Sequence, residues 1–261
     1  MTSRVLLITG ATGIAAETAR RAAGLGWNVF VGSLEEDHCR ALASEVSKFG
    51  GACETLAIDL TGEKSGDRLA AACTDAFGRI DALFNVAGIS GRRFGDGPLH
   101  ECTDEGWDAT LATNVTGMFR VSRAVLRRFL EQEPDVDGSR GAILNMASVL
   151  AFSPSPERFA THAYAASKGA ILSLTRSAAA HYAPHRIRIN AIAPGLVRTP
   201  MSRRAQEDPG ILDLMKKKQP LGGDLMDPGE IADAALFLLG RDARGITGQV
   251  LTVDAGWSVS G

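Results

Sequence analysis

The chain is constrained most by a rhythm. Short apolar runs recur along it, each followed by a turn and then by a stretch with helical spacing. The runs lie at residues 5–8, 28–32, 53–58, 82–85, 142–146, 187–192 and 250–253. Val5-Leu6-Leu7-Ile8 is apolar at every position, which suits a strand buried on both faces. Helical stretches fill the gaps at 14–23, 35–48, 64–77, 104–132, 163–182 and 228–239. Regular strand–helix alternation predicts an α/β fold. Its expected form is a single doubly wound parallel seven-stranded sheet with right-handed crossovers and helices on both faces. Ligands of such sheets bind outside the carboxyl ends of the strands, at the switch point between the first and the fourth.

Two glycine turns fall at those two ends. Thr9-Gly10-Ala11-Thr12-Gly13-Ile14-Ala15-Ala16 follows the first run and opens an alanine-rich helix. Strand, glycine turn and helix N-terminus together form the setting in which backbone N–H groups hold a pyrophosphate, as in Rossmann folds. Gly10 makes the tight turn, Gly13 lets the backbone approach the phosphates, and Ala16 packs the helix against the strand. The spacing is GxxGxxA and not GxGxxG, so an ordinary glycine turn is the competing reading. Asn85-Val86-Ala87-Gly88 follows the fourth run.

Tyr164 and Lys168 stand just over one helical turn apart, so both project from one face. A free phenol keeps its proton to about pH 10. An ammonium ~4 Å away, at an effective dielectric of ~20, attracts the phenolate by roughly 4 kcal/mol, about three pKa units. That shift brings a tyrosine towards the working range of a general acid–base group. Such a pair also arises by chance on many helices, so the rest of the chain must support it.

Composition excludes several classes. The 261 residues are 45% hydrophobic and 22% charged, with a net charge of -2. Nothing global attracts a polyanion, so no nucleic-acid partner is expected. Cys39, Cys53, Cys73 and Cys102 show no metal or disulfide spacing. His181 and His185 are interrupted by Pro184, and no metal site is expected. No apolar run reaches the length of a membrane span. The first run begins at Arg4 or Val5, leaving no room for a signal peptide, and a cytoplasmic location is expected. No linker divides residues 1–261, which read as one domain. The segment 200–225 mixes Pro209, Pro220 and glycines with short helical fragments and reads as a lid.

The ordered set is TGxxG after the first run, Asp59-Leu60 after the third and Asn85-x-Ala87-Gly88 after the fourth. Asn114 follows within a long helix, Ser148 after the fifth run, then Tyr164-x-x-x-Lys168, and Pro194-Gly195 after the sixth. In this order the motifs resemble the short-chain dehydrogenase/reductase family, in its shorter single-domain branch. The resemblance runs from Val5 to the closing Asp254-x-Gly256. It implies an NAD(P)-dependent oxidoreductase acting on a secondary alcohol or ketone, with a tetrad of Asn114, Ser148, Tyr164 and Lys168. Tyr164 exchanges the proton, Lys168 lowers its pKa and binds the nicotinamide ribose, Ser148 positions the substrate oxygen, and Asn114 holds a water leading to solvent. It also implies cofactor contacts at Gly10, Thr12, Gly13, Ile14 and Ser33, at Asp59 and Leu60, and at Asn85, Ala87 and Gly88. Further contacts fall at Pro194, Gly195, Val197 and Thr199, the last near the carboxamide. A homotetramer or homodimer is the implied assembly, with Trp257 packing at a subunit contact.

The chain departs from the family pattern in four places. The usual TGxxxGxG is one residue short, with Ala15 at the last glycine. The usual NNAG has Val86 second. The connection from Ser148 to Tyr164 is long, the extra residues lying at 154–161. Ser33 and Leu34 end the second run where an acid selects NAD and a base NADP. Glu35 and Glu36 nearby repel a 2′-phosphate, so NAD is expected over NADP. Arg92 and Arg93 are candidates to reach an anionic substrate, and Arg127, Arg128 and Arg176 a carrier protein. A 3-oxoacyl-carrier-protein reductase is the alternative enzyme, and a catalytically inactive nucleotide sensor the alternative of another class.

Overall fold

The computed structural model describes residues 3–156 and 158–260. The strands are β1 (Val5–Thr9), β2 (Asn28–Ser33), β3 (Cys53–Ala57), β4 (Ala82–Asn85), β5 (Gly141–Met146), β6 (Ile187–Pro194) and β7 (Val250–Val253). They form a seven-stranded sheet in the order β3-β2-β1-β4-β5-β6-β7, and every pairing is parallel. The main helices are α1 (Ile14–Gly24), α2 (Glu36–Val46), α3 (Ser65–Phe77), α4 (Asp104–Leu111), α5 (Met118–Glu131), α6 (His162–Tyr182), α7 (Arg203–Glu207), α8 (Pro209–Lys218) and α9 (Pro228–Leu239). No helix among the described residues is long and apolar enough to cross a membrane.

Side-chain alternation explains the two layers. Leu6 and Ile8 of β1 point to one face, with Val29, Val31, Phe84 and Leu144, and meet the alanines of α1 together with α2 and α9. Val5 and Leu7 point to the other, with Phe30, Leu83, Ile143 and Ile189, and meet α3, α5 and α6. A strand with period-two geometry needs an unbroken apolar run to satisfy both. Burying a side chain of this size stabilises by about 1.5–3 kcal/mol. Arg188 closes the far side of the sheet. Its guanidinium donates to the carbonyls of Leu238 (2.7 Å) and Gly240 (2.9 Å) at the end of α9.

Register brings the strand ends level. Thr9 pairs with Gly32 and Asn85, and Asn85 with Asn145. The glycine turn after β1 and the turn after β4 therefore leave the sheet side by side. Thr9 Oγ1 fastens them, accepting from the N–H groups of Val86 (3.0 Å) and Ala87 (3.1 Å).

The stretch 104–132 is helical as expected, and it widens into a π-helical turn at Ala112–Gly117 between α4 and α5, where Asn114 and Gly117 are weak interior helix formers. One expectation needs correction. Trp257 is 1% exposed within this chain and packs edge-on against Phe159, with ring centroids 5.6 Å apart. Its Nε1 donates to the Ser153 carbonyl at 3.2 Å. It clamps the chain's own end to the connection before Tyr164 and leaves nothing for a subunit contact.

Candidate active site

The tetrad residues meet at the carboxyl edge of β4 and β5. Ser148 begins just past β5 and is 7% exposed; Asn114 is 1% and Lys168 3% exposed. Tyr164 and Lys168 lie on α6, and the Lys168 Nζ stands 5.4 Å from the Tyr164 ring centroid. The Ser148 side chain stands beside the Tyr164 phenol, and its Oγ accepts from the Leu150 N–H at 3.2 Å. Lys168 Nζ donates to the Met146 carbonyl at 2.8 Å. Asn114 sits at the widened turn, where its Nδ2 donates to the Ile89 carbonyl and to Ser167 Oγ, both at 3.0 Å. Its Oδ1 accepts from the Ile89 N–H at 2.8 Å. A Cβ on Gly88 would lie 2.9 Å from Asn114 Oδ1 and 3.6 Å from Lys168 Nζ, so only a glycine lets the turn after β4 reach this cluster.

The electrostatics differ from the expectation. Burial pushes the Tyr164 phenol above its ordinary range, and the neighbouring Ser148 hydroxyl opposes that shift. Lys168 Nζ faces the ring and is held by the Met146 carbonyl. Burial also brings the Lys168 pKa down to about 8, because an ammonium loses its hydration there.

The end of β1 fits a bound pyrophosphate on two independent grounds. Gly10 and Gly13 have φ of +94° and +56°, a backbone that residues with a Cβ rarely take. The N-terminus of α1 also lacks a side-chain cap, which leaves amides open to an anion. Thr12 is exposed and Ile14 half-buried beside it. A Cβ on Gly13 would come 3.0 Å from Thr199 Cγ2, so the segment after β6 lies against this loop. Pro194 ends β6, Gly195 donates to the Val253 carbonyl at 3.0 Å, and Val197 is buried. Buried Gln219 supports the segment, its Oε1 accepting from the Leu196 N–H at 2.5 Å.

Other predicted residues stand apart from the tetrad. Ser33 closes β2 half-buried, and Leu34 after it is 59% exposed. Asp59 is exposed past β3, and its Oδ1 accepts from Thr61 N and Oγ1, both at 2.8 Å; Leu60 is half-buried beside it. The Asn85 side chain turns into the protein, donating to Ser122 Oγ (3.0 Å) and Asn145 Oδ1 (2.9 Å). Any cofactor contact at Asn85 is thereby left to its backbone, while Ala87 and Gly88 line the same edge half-buried. Arg127 and Arg128 pair with Asp67 and Glu131 at 3.3 and 3.4 Å. His162 is exposed at the start of α6.

Sequence reasoning passed over two residues. Ser167 receives Asn114 and donates to the Tyr164 carbonyl at 2.7 Å. Asp96, 6% exposed, accepts from the backbone N–H groups of Ala163 (3.0 Å) and Tyr164 (2.9 Å). Thr161 before α6 is of a type that favours the cap position, yet it makes no side-chain cap, and no sequence signal pointed to Asp96.

Comparison with known proteins agrees with this geometry. A family model described as Enoyl-(Acyl carrier protein) reductase matches residues 9–258. A 2,5-dichloro-2,5-cyclohexadiene-1,4-diol dehydrogenase of Sphingobium indicum is 33% identical over 260 residues, covering 99% of this chain and 98% of its own. A short-chain type dehydrogenase/reductase from Mycobacterium ulcerans superposes with a TM-score of 0.90 at 27% identity, over 100% of this chain and 91% of that one. A 3-ketoacyl-(acyl-carrier-protein) reductase from Brucella melitensis, solved with NADH, gives 0.85 at 31% identity over 99% of both. The sheet order, the paired turns at its switch point and relatives spanning nearly the whole chain agree: the protein belongs to the short-chain dehydrogenase/reductase family of NAD(P)-dependent oxidoreductases acting on CH–OH groups.

Proposed function

We propose that the protein interconverts a secondary alcohol and a ketone, with Tyr164 as the general acid–base group and NAD(H) preferred over NADP(H). The observation that carries the reading is the convergence of Ser148, Tyr164, Lys168 and Asn114 at one strand edge beside the glycine turn. A nicotinamide cofactor, when bound, supplies or accepts the hydride at the substrate carbon. Ser148, beside the phenol, orients the substrate oxygen within reach of Tyr164. In reduction Tyr164 gives its proton to that oxygen, and in oxidation it takes the proton back. Lys168 binds the ribose hydroxyls and, when protonated, favours the phenolate. Asn114, fixed by Ile89 and Ser167, holds the polar path by which the proton leaves.

Three features support the cofactor preference. Ser33 and Leu34 offer no cation where a 2′-phosphate would sit. Glu35 and Glu36 add negative charge. The neighbouring Arg40 is committed to Glu36 (2.8 Å) and Asp37 (2.6 Å). The segment 200–225 serves as the lid of the one domain, and a homotetramer is the expected assembly. The deciding experiment follows nicotinamide absorbance over an alcohol and ketone panel with both cofactors, for wild type and Tyr164→Phe. The variant keeps cofactor affinity and loses nearly all turnover; retention of more than about a tenth of the rate removes Tyr164 from its role. NADP(H) favoured by about tenfold or more reverses the cofactor assignment.

A further inference from the structure

Three arginines from three separate segments meet beside the catalytic helix. Arg92 stands on the turn after β4, Arg158 on the long connection before Tyr164, and Arg204 on α7. The Nη2 atoms of Arg92 (3.3 Å) and Arg204 (3.4 Å) both donate to the carbonyl oxygen of Arg158. Two guanidinium groups are thus gathered on one neutral oxygen. The Arg158 guanidinium meets Asp208 at 3.3 Å, and Arg204 reaches the same carboxylate at 3.8 Å. Among the described residues Asp208 is the one carboxylate paired with this trio. It also caps α8, accepting from the N–H groups of Gly210 (2.9 Å) and Ile211 (3.2 Å). Arg93 takes no part, lying over the Phe94 ring at 4.6 Å.

Like charges held together with one shared counter-charge repel one another. The cost shows at Arg92: burial lowers its pKa, the Arg204 charge lowers it further, and Asp96 opposes. Asp96 does not relieve the cluster by contact, since its two oxygens accept from Ala163 and Tyr164. A chain with a net charge of -2 has no general surplus of cations to explain the gathering. An anion placed between the guanidinium forks removes the repulsion and matches their planar donor geometry.

The cluster also has a fixed relation to the tyrosine. The first amides of α6 all bond to the turn that carries Arg92. His162 N–H donates to the Gly97 carbonyl at 3.2 Å, and the next two donate to Asp96. That turn is therefore tied to the first turn of α6, which carries Tyr164. The Arg158 and Arg204 side chains remain 43% and 51% exposed, so an anion enters from solvent.

We infer that the substrate of the hydride transfer carries a carboxylate, sulfonate or phosphate, and that Arg92, Arg158 and Arg204 form the subsite that receives it. The inference rests on the oxidoreductase reading above. The test uses ketones that differ only in charge: oxo acids of several chain lengths against their methyl esters, with oxoalkyl sulfonates and phosphates as further arms that separate the anions. Wild type is expected to favour the anion over the neutral partner by about tenfold or more in kcat/KM. The double variant Arg92→Gln, Arg204→Gln is expected to bring that ratio close to one. A wild-type ratio near one, or a ratio unmoved by the double variant, overturns the subsite and leaves hydride transfer standing. A readout without turnover accompanies it: with NAD+ present, so that no hydride can pass to the ketone, the oxo acid raises the melting temperature of wild type and not of the double variant. If that pattern holds while no ketone is reduced, the anion subsite stands and the hydride-transfer reading falls. Equal thermal shifts in both proteins overturn the subsite.

Discussion

Lys168 shows how one residue trades stability for chemistry. Its ammonium is buried, and its pKa falls from 10.5 to about 8. A lysine whose folded pKa lies below its unfolded value holds fewer protons when folded. Between pH 8 and 10.5 the unfolded chain keeps the extra proton, so folding stability rises with pH across that window. Below it the full penalty applies, about 3 kcal/mol. Losing the bond to the Met146 carbonyl takes back about 1 kcal/mol. Lys168→Met should therefore stabilise the fold by about 2 kcal/mol at pH 7 while abolishing turnover. Urea unfolding at pH 7 and near pH 10 checks the sign: the gain must shrink at the higher pH. A variant that is less stable at pH 7 contradicts the burial cost. Lys168 was legible in the sequence as Tyr164's partner, but the spacing alone could not say where its ammonium points.

At the scale of elements, what matters is how helix ends are finished. The first three amides of α6 are satisfied by Asp96 and Gly97 from the turn after β4. Asp96→Asn keeps one acceptor but loses the charge that faces the positive helix end. It should cost about 1–2 kcal/mol in unfolding free energy. Because Tyr164 supplies one of those amides, kcat should drop while the KM for cofactor holds. A thermal shift with unchanged kcat would make Asp96 structural only. The N-terminus of α1 is the opposite case, left without a side-chain cap. Gly13→Ala must strain a φ of +56° and push Thr199 away from 3.0 Å. Cofactor affinity, read by NADH fluorescence titration, should weaken by about tenfold or more. Full affinity would show that the loop has room to spare. The widened turn at Ala112–Gly117 belongs to this scale too. Asn114 and Gly117 are weak interior helix formers, yet the partners that hold the Asn114 side chain, Ile89 and Ser167, belong to other elements.

For the whole molecule, the sheet sets the site's frame and the chain's end braces one wall of it. Trp257 buries itself with Val149, Ala205, Ile211, Met215 and Leu225, joining the connection before Tyr164 to α7 and α8. Trp257→Ala should lower unfolding free energy by about 3–5 kcal/mol and raise substrate KM more than cofactor KM. Denaturant unfolding and steady-state kinetics measure both. A loss under about 1 kcal/mol would show that this cluster is not cooperative with the sheet.

The alternation of apolar runs with helices determined the parallel sheet and the switch point, because a strand buried on both faces needs an unbroken apolar run and a parallel crossover needs a helix between strands. The glycine turns and Tyr164-x-x-x-Lys168 were legible for the same local reason: their chemistry depends on spacing along one strand end or one helix face. What only the tertiary structure decided lies between elements distant in sequence. Asp96 reaches α6, Asn85 turns away from the edge it was expected to line, Trp257 folds inward, and three arginines meet around one carbonyl. A side chain's periodicity tells which face it leaves from, but its partner is set by which loops the finished sheet brings together.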